Sequence, residues 1–238
     1  MSQTIGILGG MGPLATADLY QKIIAATPAR RDQDHCHVII DSDPAIPDRT
    51  AALNGTGPDA LPGLVVSAQR LVAAGADFIV IPCNTAHAFL PRLRPHVGVR
   101  IIDMIAATAE AVLTEFPQAR RIGILAYQGT ITTGLYHDAL RAHGLEPLSP
   151  PAEEQRRLVD AAIEAVKAGD MRPEVGGWLA QAGQALIARG TEVLLAACTE
   201  IPIVLHPPMV SVPLLDPTLI LARAAVRAAR TAPALAAD

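Results

Sequence analysis

At 238 residues the chain has room for one large domain or two small ones, and with 50% hydrophobic and 18% charged residues it can bury a sizeable core, which excludes a disordered chain. The net charge is −4, no basic block occurs and aromatics make up only 3%, so neither a nucleic-acid surface nor a base-stacking platform is available. Three cysteines are too few for a disulfide framework, the opening residues 1–10 have neither a basic nor a long apolar region, and no run reaches the ~18 apolar residues of a membrane span, so the expectation is a cytoplasmic protein without signal peptide, its thiols reduced.

In chain order, Thr4–Leu8 reads as a buried strand, followed by the loop Gly9-Gly10-Met11-Gly12-Pro13, expected as a tight turn with backbone N–H groups near a ligand. His37–Asp41 is a second strand. Arg49 follows in a stretch bounded by Pro44 and Pro47, and residues 51–62, with Asn54-Gly55 and Gly57-Pro58, have the turn chemistry of a flexible lid. Leu61–Gly75 is helical by the spacing of Leu64, Val65, Ala68, Leu71 and Val72, with Gly75 closing it. Asp77–Pro82 is then a buried strand that delivers Cys83-Asn84-Thr85-Ala86-His87, where Asn84 or Thr85 can cap the next helix. Ile122–Leu125 reads as a strand, Trp178–Arg189 as a helix ended by Gly190, and Thr191–Ala197 as a strand that delivers Cys198-Thr199-Glu200. Thr218–Arg230 is a helix, apolar on Ile220, Leu221, Ala224 and Ala225, and the Ala-rich tail is expected to fray.

These elements repeat. Ile5-Gly6-Ile7-Leu8 recurs as Ile122-Gly123-Ile124-Leu125, the run before Cys83 recurs before Cys198, and Val99–Asp103 has its counterpart in Val212–Asp216, in the same order and at nearly constant spacing. Strand–helix alternation in each half predicts an α/β protein of two pseudo-symmetric lobes, each a parallel sheet flanked by helices. The expected lobes are residues 1–103 and 104–216, with a C-terminal helix, 217–238, packing back on the first. Ligands of open α/β sheets bind beyond the carboxyl ends of the strands, so the site is expected in the cleft between the lobes.

Cys83 and Cys198 fall at equivalent strand ends. A cysteine is also a common small buried hydrophobe, but the repetition favours a paired role. Two acid/base groups facing one carbon suit racemisation: one thiolate removes the α-proton from one face while the opposite thiol supplies a proton to the other. A nucleophilic hydrolase needs one cysteine and an oriented His base. His87 follows Cys83 by four residues, yet Pro202 holds the matching place after Cys198, so His87 reads as a packing or network residue. Arg49 can grip a carboxylate with two parallel hydrogen bonds, or be an ordinary surface arginine. The glycine loop does not read cleanly as a dinucleotide fingerprint. His35-Cys36-His37 lacks a second ligand pair at zinc spacing and reads as the lead-in to a strand. Nothing near Lys167 reads as a pyridoxal phosphate cup.

The pieces Gly9–Pro13, Ile46–Thr50, Pro82–His87, Gly129-Thr130 with Gly134-Leu135-Tyr136, Lys167-Ala168-Gly169 and Cys198-Thr199-Glu200 resemble the cofactor-independent aspartate/glutamate racemase family, and within it the aspartate racemases. The resemblance runs over nearly the whole chain. It implies no cofactor, no metal, commonly a homodimer, and an isomerase acting on a small amino acid. It implies Cys83 and Cys198 as the two bases, and a substrate site that takes in Met11, Asn84, Thr85, Thr130, Thr199 and Glu200, with Arg49 and Lys167 toward an acidic side chain. Two residues depart from the pattern: Ala197 stands where Gly is usual and Tyr127 where a small hydroxyl residue is common. Two further readings stay open at this point: a two-lobed protein that binds an acidic ligand without chemistry, and a related one-cysteine isomerase or decarboxylase.

Overall fold

Each half of the chain builds a four-stranded sheet around its most apolar run. In the first, β1 (Ile5–Gly9), buried at every position, lies between β2 (Val38–Ser42) and β3 (Phe78–Val80), with β4 (Arg100–Ile101) beyond β3. In the second, β5 (Arg121–Leu125) lies between β6 (Glu146–Leu148) and β7 (Val193–Ala196), with β8 (Leu214–Leu215) beyond β7. Every pairing is parallel. The strand orders β2-β1-β3-β4 and β6-β5-β7-β8 are the same order, so the sequence repeat is a structural duplication. Central strands of such sheets are covered on both faces, which is why β1 and β7 are continuous apolar runs with no alternation. The computed structural model describes residues 2–231. The tail expected to fray, and residues 232–238 of the expected C-terminal helix, lie outside them.

Two helices exchange between the lobes. Helix Met104–Glu115 leaves β4 and is capped by Asp103, whose carboxylate accepts from the N–H groups of Ile105 (3.0 Å) and Ala106 (3.2 Å). Helix Pro217–Arg230 leaves β8 and is capped by Asp216, which accepts from Thr218 N–H at 2.8 Å. Each such cap is worth about 1 kcal/mol. The first helix packs Ile105, Ala109 and Val112 against Ile122, Ile124 and Leu195 of the second sheet. The second packs Leu221, Ala222, Ala225 and Val226 against Ile5, Ile7, Phe78 and Val80 of the first. Each lobe is thus completed by the helix that follows the other lobe's last strand. Lys22 in helix Pro13–Ala26 reaches Asp216 at 2.6 Å and ties this junction to the first lobe.

Local expectations are revised at three places. Arg49 does not lie in open loop: it begins a short helix, Arg49–Leu53, whose N-cap Asp48 accepts from Ala51 N–H at 2.7 Å. Cys83 is followed by a single 3₁₀ stretch, Thr85–Phe89, and neither Asn84 nor Thr85 caps it with a side chain. Those hydroxyl and amide groups are engaged across the lobe boundary instead. The glycine loop is the tight turn expected, since Gly10 has φ +89° and a Cβ there would lie 2.4 Å from the Asp43 backbone. Its Gly10 N–H, however, donates to Thr16 Oγ1 at 2.9 Å and is not free for a ligand.

Candidate active site

The strand ends of β3 and β7 supply the two thiols. Cys83 follows Ile81-Pro82 and Cys198 follows Ala197, whose N–H donates to Leu125 O at 2.7 Å and holds the strand end in place. Both cysteines are buried free thiols, and both line one cavity between the lobes. Met11, Asn84 and Thr85 join them from the first lobe, and Thr199, Glu200 and Lys167 from the second. Asp48, Arg49 and Thr50 close the cavity from the short helix Arg49–Leu53, and Tyr127 closes it from the end of β5. The enclosed space is about 20 Å³, room for about one water, so this is a closed arrangement of the lobes. A wider recess of about 500 Å³, bordered by the Met11 loop, Arg49, Lys167 and Glu200, adjoins it. A larger groove still, about 590 Å³, runs between helices Met104–Glu115 and Pro217–Arg230 and contains neither cysteine.

The polar groups of the cavity are fixed from behind. Cys198 Sγ donates to Glu200 Oε2 at 3.0 Å, and Thr199 Oγ1 donates to the same oxygen at 3.1 Å. Burial first, and the Glu200 charge next, push the Cys198 thiol well above its ordinary range, with Lys167 opposing them. Burial works against the Lys167 charge, yet its electrostatic coupling to Cys198, Glu200 and Cys83 outweighs that and raises the ammonium's pKa. Asn84 Oδ1 accepts from the buried Tyr136 hydroxyl at 2.6 Å, while its Nδ2 has no partner. Arg49 donates through Nη1 to Ile46 O (3.1 Å) and Pro47 O (3.0 Å), and its Nε, also buried, has no partner. A buried donor without a partner is costly, and both of these belong to residues that line the cavity, so an oxyanion that reached them would relieve that cost.

Nine of the ten residues expected at the site line the cavity; Thr130 does not. Its hydroxyl is buried one step back, in a 2.9 Å hydrogen bond with Thr85 Oγ1 that crosses between the lobes. Gly129 beside it meets Thr50 so closely that a Cβ would fall 2.2 Å from Thr50 Oγ1. Asp48 and Thr50 escaped sequence reading, though they flank Arg49 in the same stretch. Tyr136 escaped it as a site residue because its contact with Asn84 spans 52 positions. His87 is the network residue expected. Met104 N–H can only donate, at 3.1 Å to Nε2, so Nδ1 carries the proton and donates to Cys83 O at 2.9 Å. Burial holds this imidazole below its usual pKa and therefore neutral.

The family model described as Asp/Glu/Hydantoin racemase matches residues 8–225. The chain is 27% identical to the broad specificity amino-acid racemase RacX of Bacillus subtilis over 93% of this chain and 96% of that protein. Among solved structures, Picrophilus torridus aspartate racemase superposes with a TM-score of 0.86 at 27% identity, over 95% of this chain and 94% of that one. An aspartate racemase homologue from Pyrococcus horikoshii gives 0.77 at 26% identity, over 97% and 100%.

Proposed function

Since the chain belongs to the Asp/Glu/hydantoin racemase family, we propose that it interconverts L- and D-aspartate by proton transfer between Cys83 and Cys198, with no cofactor in the cycle. The observation that carries this reading is that two thiols from duplicated strand ends line one cavity, together with Arg49 and Lys167. The α-carbon lies between the two sulfurs. One sulfur, as thiolate, removes the α-proton; the other, as thiol, delivers a proton to the opposite face, and the roles reverse for the other enantiomer. The negative charge that develops on the α-carboxylate in the transition state is met by preorganised donors, a reading supported by the unpartnered Nδ2 of the cavity-lining Asn84. Arg49 and Lys167 receive the side-chain carboxylate, and Thr85 and Thr199 line the wall beside the thiols. Because the space is only about 20 Å³, substrate enters when the lobes or the Arg49–Leu53 helix move apart.

In this reading the lobes are residues 1–103 with the returning C-terminal helix, and 104–216, working in a cytoplasmic homodimer. Glutamate, or a wider range of amino acids, is the second reading, favoured by the likeness to the Bacillus subtilis protein. A racemisation assay over L- and D-amino acids without added cofactor tests the choice: aspartate should give the highest kcat/KM. Arg49→Ala should lower kcat/KM for aspartate at least about tenfold more than for alanine, since a charge-assisted bidentate contact is lost only for the acidic side chain. An unchanged ratio would remove Arg49 from the side-chain site.

A further inference from the structure

The helix that carries Lys167 holds the end of β5 at three successive points. A π-helical stretch, Gln155–Asp160, runs into the α-helical Ala161–Lys167. Asp160, Glu164 and Lys167 are spaced to fall on one face of it. Asp160 Oδ1 accepts from Gln128 N–H at 3.0 Å and from Gln155 Nε2 at 2.8 Å. Glu164 Oε1 accepts from the Tyr127 hydroxyl at 3.0 Å. Lys167 Nζ stands 4.6 Å from the centre of the Tyr127 ring.

Tyr127 is therefore fixed at both ends by one helix: its hydroxyl by Glu164, its ring face by the ammonium. Burial, and then the Glu164 hydrogen bond and charge, keep its hydroxyl protonated. That hydroxyl is engaged by Glu164, which does not line the cavity, so it is not a further acid or base. What the residue presents to the cavity is an aromatic wall that carries a cation. Among the described residues, no ion pair involves Lys167. A lysine side chain has four rotatable bonds, and a ring face within about 6 Å is an attractive seat for its charge.

We infer that Tyr127 is a specificity-determining residue: its ring seats the Lys167 ammonium at the cavity wall and fills the space beside it, so that the site selects amino acids with a short, carboxylate-ended side chain. The inference rests on the acidic-substrate reading above and adds the residue that enforces it. Removing the ring frees the ammonium and opens room, which weakens selection for charge and for length together.

Equilibrium binding of non-reacting α-hydroxy acids tests this without relying on turnover. Malate, 2-hydroxyglutarate and lactate are titrated calorimetrically into the parent, Tyr127→Phe, Tyr127→Thr and Tyr127→Leu proteins, each confirmed folded by circular dichroism. The parent should prefer malate to both others. Tyr127→Phe keeps the ring and should stay within about threefold for malate. Tyr127→Thr, and Tyr127→Leu, which keeps apolar bulk without a π face, should each lose at least about fivefold more for malate than for lactate. The malate-to-2-hydroxyglutarate preference should narrow in Tyr127→Thr. If the folded variants keep the parent's malate-to-lactate preference, or if Tyr127→Phe loses as much as Tyr127→Thr, this inference alone is overturned. If the parent binds no malate, the acidic-substrate reading falls and takes this inference with it.

Discussion

One carboxylate makes the two thiols unequal. Glu200 stands two residues after Cys198 and accepts its S–H at 3.0 Å, whereas Thr85 stands two residues after Cys83 and pairs with Thr130. In the resting site Cys198 is consequently a proton donor, held protonated by burial and by the Glu200 charge. Glu200→Gln removes that charge and a strong acceptor, so the Cys198 thiol should ionise at lower pH. Alkylation by iodoacetamide, followed at the Cys198 peptide by mass spectrometry across a pH series, should set in at lower pH in the variant than in the parent. An unmoved alkylation profile would show that Glu200 does not govern this thiol.

At the scale of elements, His87 joins the β3 exit to the first exchanged helix, because it accepts from Met104 N–H and donates to Cys83 O. His87→Ala leaves two buried backbone groups without partners, at a cost of about 2–4 kcal/mol of stability in denaturant unfolding at pH 7. The same imidazole also gives stability a pH slope. It stays neutral when folded, while an unfolded histidine takes up a proton below about 6.5, so the unfolded state binds more protons there and stability falls as pH is lowered through that range. The parent should lose more stability between pH 7 and 5 than the variant does; equal slopes would contradict the neutral bridging role. Strands β1, β3, β5 and β7 were legible in the sequence, because they are short apolar runs that end in small residues or in the cysteines, whereas β6, with Pro147 at its centre, and the helices Pro13–Ala26 and Met104–Glu115 drew no expectation. The short helix Arg49–Leu53 was not legible either, because the turn signals of Pro44, Pro47, Asn54 and Gly55 around it outweigh its single cap, Asp48. Thr130 was placed at the site by resemblance, but its distance from the cavity depends on the Thr85 contact, which is set by how the lobes meet.

For the molecule as a whole, duplication explains why the site has two similar faces, and helix exchange explains why they stay opposed. Ile105 and Leu221 each pack in the lobe opposite the strand that precedes their helix, so separating the lobes would expose both cores. Burying one such side chain is worth about 1.5–3 kcal/mol. Opening to admit substrate is therefore better carried by small pieces at the cleft, such as the Arg49–Leu53 helix where Thr50 abuts Gly129, than by full separation. The repeat that fixes the overall architecture was visible in sequence; of the exchange, the sequence carried the return of the C-terminal helix to the first lobe as an expectation, and Asp103 and Asp216 at matching positions.

In the proposed reaction Cys83 and Cys198 act on one carbon from opposite faces. This is tested by incubating aspartate in D₂O with the parent, Cys83→Ala and Cys198→Ala proteins, with α-deuterium read by NMR and enantiomers separated by chiral chromatography. The parent should racemise and label both enantiomers. Neither variant should racemise, and each should at most exchange the α-proton of a single enantiomer, the opposite one in the two cases. Racemisation at the parental rate by either variant would contradict the account.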